Sequence, residues 1–316
     1  RDFYPGLPAS TPAVQAELHY GVPTAVPAFS FLNAERDRVE VMMKPGSAKR
    51  VEAELAAQAP GLLEGGSSWG NIYAGGAAQR EAHFCAASLG LGDMWESGKF
   101  RRLALFAVRH FRAFLRLIAL LPVEAVLSLF DAAKGVTVKR ESFWREVTFV
   151  VARVMVCVGM RELIVAGVKI DLERGLPIIH ANFLGFDEQS HRRGPRSRFA
   201  HWTLKGIDDA VGRLHRAARR AESRDYEVWI FSDHGQIASQ PIMRSIDGGL
   251  HALVRRNLEL PAVETERGSS RMSPATWLGR EKTTSSDDEA GEDVFGDDPF
   301  TIEAKGPVGH IYLQNE

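Results

Sequence analysis

Five side chains in this sequence have the chemistry to hold divalent metal ions. Asp187 and His191 sit in "FDEQSHRRGP", Asp233 and His234 in "SDHGQ", and His310 in "GPVGHIYL". Carboxylate oxygen mixed with imidazole nitrogen suits zinc or a related divalent ion. Each group falls at the end of an apolar run or in a loop bounded by glycine. A single histidine in such a place is more often a hydrogen-bonded structural residue, but five such residues in three segments argue for a metal centre. A pair of hydroxyls, Ser10 and Thr11, stands before Pro12 in "ASTPA". Proline in a first helical turn leaves free N–H groups and the positive helix end facing outward, which favours an anion such as a phosphoryl group. Without the metal-type residues, the same stretch would read only as a helix cap.

These groups need a scaffold. "LPIIHANFLGF" reads as a buried strand leading into the Asp187–His191 loop. "FAHWTLKGIDDAVGRLHRAARRAES" follows as a helix with Phe199, Trp202, Ile207, Val211 and Leu214 on one face. "YEVWIFSDHG" then reads as a second buried strand ending in Asp233 and His234. Strand, helix and strand in succession predict a parallel sheet covered by helices. In such sheets ligands bind outside the carboxyl ends of the strands.

The rest of the chain is more varied. Residues 1–95 are rich in Gly and Pro, with short apolar runs such as Ala25 to Leu32, and predict loops with brief strands or helices. Phe100 to Leu121 and Trp144 to Val168 are strongly helical and apolar, with Pro122 a stop for the first. Helical spacing puts Arg109, Arg112 and Arg116 on one stripe. That stripe fits a helical cap packed on the core, the favoured reading, or a basic amphipathic helix within 100–168 lying on a membrane surface. Val147 to Met160, interrupted by Arg153, is short of the ~20 apolar residues a span needs. Glu281 to Asp298 is acidic and poor in apolar residues, and is expected to be a solvated mobile loop.

Composition bounds the classes. The 316 residues are 45% apolar and 25% charged, an ordinary globular balance. A net charge of −1 gives no general attraction to nucleic acid, so no duplex partner is expected. Cys85 and Cys157 lie too far apart in sequence to suggest a disulfide framework. No initiator Met and no charged-then-apolar leader is visible at Arg1, so further chain is expected upstream.

In "STPA", "DEQSHRRGP", "SDHGQ" and "GHIYL", taken in that order, the sequence resembles the alkaline phosphatase superfamily, and most closely its type I phosphodiesterase/nucleotide pyrophosphatase branch. The resemblance implies an α/β fold, a three-layer sandwich around a largely parallel sheet. It also implies one catalytic domain over residues 1–316, with a helical insertion at 96–175 and an acidic loop at 281–299, neither of which matches the family pattern. It implies two divalent ions, zinc with manganese as the alternative. Asp187, His191 and His310 would hold one, and Asp233 and His234 the other together with the nucleophile. The family nucleophile stands two residues before the proline, which gives Ser10, with Thr11 as the alternative. Asn33 falls about two residues from the position where the branch places an Asn on a phosphoryl oxygen. An Asp at the end of a strand preceding the nucleophile loop completes the family's second metal site. This sequence starts too late to contain it, and Asp2 lies too close to Ser10 to serve.

The implied activity is metal-dependent hydrolysis of a small-molecule phosphate ester through a phospho-enzyme on Ser or Thr. A phosphomonoesterase or phosphomutase of the same superfamily is the alternative. A sulfatase is disfavoured because Val14 stands where its pattern requires Arg. A reading of another class is a membrane-associated scaffold or pseudoenzyme. Oligomeric state is left open by the sequence.

Overall fold

The computed structural model describes residues 6, 8–23, 25–33, 38–88, 154–238, 246, 249–260, 299–304 and 309–314, with scattered positions between 111 and 130. The first helix, α1 (Thr11–Tyr20), starts as its sequence dictates. Ser10 is extended at the cap and Pro12 fixes the first turn; Gly21 closes the other end with φ 67 and donates its N–H to Glu17 O. Strands β1 (Ser30–Asn33) and β2 (Arg38–Val41) pair antiparallel. Helix α2 (Pro45–Gln58) then buries Ala48, Val51 and Leu55, three and four residues apart, in a core with Ala16, Tyr20, Phe31, Met42 and Tyr73.

A parallel sheet follows. Strand β3 (Ser67–Trp69) is its centre, flanked by β4 (Ala82–His83) and by β5 (Ile179–Ala181). A π-helical turn, Met155–Met160, runs into helix α3 (Arg161–Arg174), which ends where Gly175 turns left-handed at φ 72. Helices α4 (Gly185–Arg193), α5 (Arg198–Ala218) and α6 (Gly249–Asn257) come next, and β6 (Phe300–Ala304) and β7 (Gly309–Leu313) form a final antiparallel pair.

Side-chain alternation sorts the sheet into two faces. Trp69, Ile179 and Ala181 point to α3, where Ile164, Val168 and Leu172 receive them. His180 points the other way, to His19 on α1. The α3 face depends on one small residue: a Cβ on Gly167 would sit 1.9 Å from the Trp69 ring, whose Nε1–H is fixed on Asp171 Oδ2 at 2.8 Å. Gly167→Ala should therefore cost ~1–3 kcal/mol by overpacking, read as a lower urea midpoint at unchanged m-value. An unaltered midpoint would contradict this packing.

Buried charge ties α5 to its neighbours. Glu162 takes both guanidinium nitrogens of Arg213, at 2.8 and 2.9 Å, while Arg116 reaches Asp209 at 2.5 Å. Described positions from Phe111 to Phe130 are helical, Pro122 included, so Pro122 does not keep helical structure from continuing beyond it. Arg116 is drawn into the α5 network with its side chain still part-exposed; Arg109 and Arg112 lie outside the described residues. No helix among the described residues is long and apolar enough to cross a membrane.

Three expectations change. The run Tyr226–Phe231 is not a buried strand: it lies outside the sheet, with Trp229 74% and Ile230 68% exposed. Its apolar composition was read as burial, but burial needs a pairing strand, and none flanks it among the described residues. Asp187 and His191 are on helix α4 and not in a loop, so their four-residue separation places them on one helical face. Finally, α5 buries Ala200, Thr203, Ala210 and Ala218 most fully and keeps Leu214 packed on the α3 core, while Trp202 of the expected face is largely exposed, because helices in close contact need small side chains between them. The acidic tract 281–298 is outside the described residues. Cys85 and Cys157 are both buried and unbridged.

Candidate functional site

Helix α1 points its amino end toward the carboxyl ends of the strands. Gln15 bridges to the turn after β3, accepting from the Ile72 N–H at 2.7 Å and donating to Asn71 Oδ1 at 3.2 Å. Gly70 makes that turn with φ +70, and a Cβ there would meet the Asn182 carbonyl at 2.8 Å, so the chains after β3 and β5 approach closely only with glycine. Ser10 caps α1 with its hydroxyl buried and, among the described residues, without a hydrogen-bond partner.

The Asp233–His234 segment comes to the same place. Phe231 stacks on His180 with ring centroids 5.9 Å apart and planes 2° from parallel. His234 then meets Thr11, with Nε2 to Oγ1 at 3.2 Å across 223 residues of sequence. The proton placement follows from the partners. His234 Nδ1 lies 3.1 Å from the Gly235 carbonyl, which only accepts, so Nδ1 carries the proton and Nε2 keeps its lone pair toward Thr11. With its ring N–H spent on a backbone carbonyl, His234 turns to Thr11 the nitrogen that a metal-ligating histidine would offer an ion.

Gln236 links this segment to α4, donating from Nε2 to Asp187 Oδ1 at 2.8 Å. Asp187 Oδ1 also meets His191 Nε2 at 3.2 Å, and that carboxylate holds the His191 pKa above its ordinary value against the opposing effect of burial. The expected ligands thus come together as two adjacent pairs, Asp187 with His191 and Asp233 with His234, joined through Gln236. Among the described residues no three His, Cys, Asp or Glu side chains converge as they would around an ion.

His310 and Asn33 belong to a neighbouring layer. Asn33 ends β1, and the β6–β7 pair docks on that strand through Ser30 to Glu303 and the Leu32 N–H to Tyr312 Oη at 3.0 Å. His310 stands opposite Glu303, with its Nε2 buried and unpartnered. Among the described residues no hydrogen bond or ion pair joins His310 to Asp187 or His191.

Sequence reasoning passed over His19, His180, Asn71 and Gln236. His180 could have been noticed, since it falls out of phase with Ile179 and Ala181 in a strand where alternate residues share a face. His19 Nε2 and His180 Nδ1 are 2.9 Å apart, so only one of them carries the shared proton. Burial, reinforced by His180, pushes His19 down to about 3; burial pushes His180 down to about 4, against the pull of Asp233. The sign for His19 is simple. The unfolded chain takes up a proton near pH 6.5 and the folded chain only near 3, so stability falls as pH drops from 6.5 toward 3. His19→Gln should flatten the decline of melting temperature between pH 7 and 5; an equally steep decline would contradict the assignment.

Residues 173–311 match the family model of the type I phosphodiesterase / nucleotide pyrophosphatase family. No curated protein and no solved structure matches the chain. The matched stretch contains both carboxylate–histidine pairs and His310, whereas Ser10, Thr11 and Asn33 precede it. Over residues 173–311 the chain is thus similar to the type I phosphodiesterase/nucleotide pyrophosphatase family of the alkaline phosphatase superfamily.

Proposed function

We propose that the protein is a metal-dependent hydrolase of small phosphate esters, of phosphodiesterase type, acting through a covalent phosphoryl group on Ser10. The observation that carries this reading is the contact of Thr11 with His234, which brings the amino end of α1 against a loop of the family-matched region. The helices on the two faces of the parallel sheet, α3 and α1, support a three-layer sandwich, with the site outside the carboxyl ends of its strands.

The residues present fit divalent ions. The donors are oxygen and nitrogen, His234 has the proton placement of a ligand, and the buried Nε2 of His310 has no other partner. Asp187, His191 and His310 would hold one ion and Asp233 and His234 the other, with Ser10 beside it. Zinc suits this set, with manganese as the alternative. When bound, such ions lower the pKa of the attacking hydroxyl and offset the charge of the phosphoryl oxygens.

The chain's own part begins with Ser10. Its Oγ gives up its proton to solvent and forms a bond to phosphorus as one ester oxygen departs with its electron pair and takes a proton from solvent to leave as the alcohol. Water then attacks the phosphorus of the esterified phosphoserine, restoring the hydroxyl and releasing the phosphate monoester. The free N–H groups at the start of α1 orient the phosphoryl oxygens and the helix dipole favours their charge. Gln236 positions Asp187. Acid quench during turnover of an aryl phosphodiester, followed by peptide mass analysis, should find an aryl phosphate group on the peptide carrying Ser10. A modified Thr11 would transfer the role, and an unmodified peptide under steady turnover would contradict covalent catalysis.

A further inference from the structure

At the other end of the sheet, a cleft of ≈ 330 Å³ opens between α3 and the last turns of α5. Lys169 and Glu173 line it from α3, and Arg213, Arg216 and Arg220 from the α5 side. The three arginines are three and four residues apart, which stacks them on one helical face, a spacing at which like charges repel. Arg213 is neutralised by Glu162 and Asp209. Lys169, Arg216 and Arg220 have no carboxylate within ion-pairing distance among the described residues, and Glu173 is the one acid in the lining.

Three cations against one carboxylate leave a local excess of two positive charges. The carboxyl end of α5 offsets only about half a charge of it. The Lys169 amine registers the field: burial first, then Arg213 and more weakly Arg216 and Arg116, lower its pKa against the opposing pull of Glu162. Leu172, Ala217 and Ala221 supply an apolar floor, and the volume is at the small end of ligand pockets. The cleft is not part of the ester site. Helix α5 begins beside α4 at the carboxyl ends of the strands and runs 21 residues, about 30 Å, before Arg220.

We infer that this cleft binds a small organic phosphate, its dianionic head between Lys169, Arg216 and Arg220 and its apolar part on Leu172 and Ala217. Phenyl phosphate is a suitable probe, titrated calorimetrically into the full chain with chelator present so that the ester site is silent. Wild type and Ser10→Ala should bind equally. Arg216→Gln/Arg220→Gln should weaken binding by about tenfold or more, since each charge-assisted contact contributes on the order of a decade. Both arginines are exposed, so the substitutions leave the core intact; Arg216→Lys/Arg220→Lys, which keeps the charge, should retain most of the affinity. Sedimentation with phosphatidate vesicles identifies the source of the phosphate: vesicle binding lost in the Gln variant assigns a lipid headgroup, and binding of phenyl phosphate alone assigns a soluble ligand. Absence of binding to either probe, or equal affinity in wild type and the Gln variant, would overturn the inference.

Discussion

Ser10→Ala should reduce turnover of an aryl phosphodiester by ~10³-fold or more, whereas Thr11→Ala retains a measurable part. The two hydroxyls are adjacent but differently engaged. Ser10 Oγ is buried at the α1 cap without a partner, so nothing must be broken before it attacks. The Thr11 hydroxyl is engaged with His234 Nε2 at 3.2 Å, and its removal leaves the attacking oxygen in place. An inactive Thr11→Ala beside an active Ser10→Ala would exchange the roles. Two active variants would leave no place for a covalent step at this helix end.

The second large effect is expected at the ligand pairs. Asp233→Ala and His191→Ala should each lower bound zinc and turnover together, by more than ~100-fold in activity, because a lost ligand changes both charge and geometry at the reacting phosphorus. Gln236→Ala separates ligation from support. It touches Asp187 through one hydrogen bond of 2.8 Å, so its removal should cost ~10–100-fold, with zinc still bound at raised concentration. Full activity in Asp233→Ala or His191→Ala would remove the metal reading, and a Gln236→Ala as damaged as the ligand variants would make Gln236 more than a support.

The parts of this arrangement that the sequence made legible are those written in local chemistry. Pro12 after two hydroxyls marks a helix start, and Ser10 caps α1. Helix α5 likewise follows from its own pattern. What was not legible depends on distant partners. Val228 to Phe231 has the composition of a core strand, yet composition does not supply the neighbouring backbone that would bury it. Strand β3 was missed for the opposite reason: "SSW" has no apolar run, and it is central because Ser68 turns to Asn71 and Cys85 while Trp69 fills the space left by Gly167. In the site, Asp187 with His191 and Asp233 with His234 were found by residue type. The contacts that relate them, through Gln236 and Thr11, join segments 49 and 223 residues apart and have no local signature.

The most direct measurement is hydrolysis of bis(4-nitrophenyl) phosphate by the purified protein before chelation, after chelation and after zinc is returned. The account predicts hydrolysis that disappears with the chelator and recovers with zinc, and that Asp233→Ala does not recover at the same zinc concentration. Hydrolysis that persists undiminished after exhaustive chelation, or no hydrolysis of any phosphate ester by the zinc-loaded protein, would contradict it.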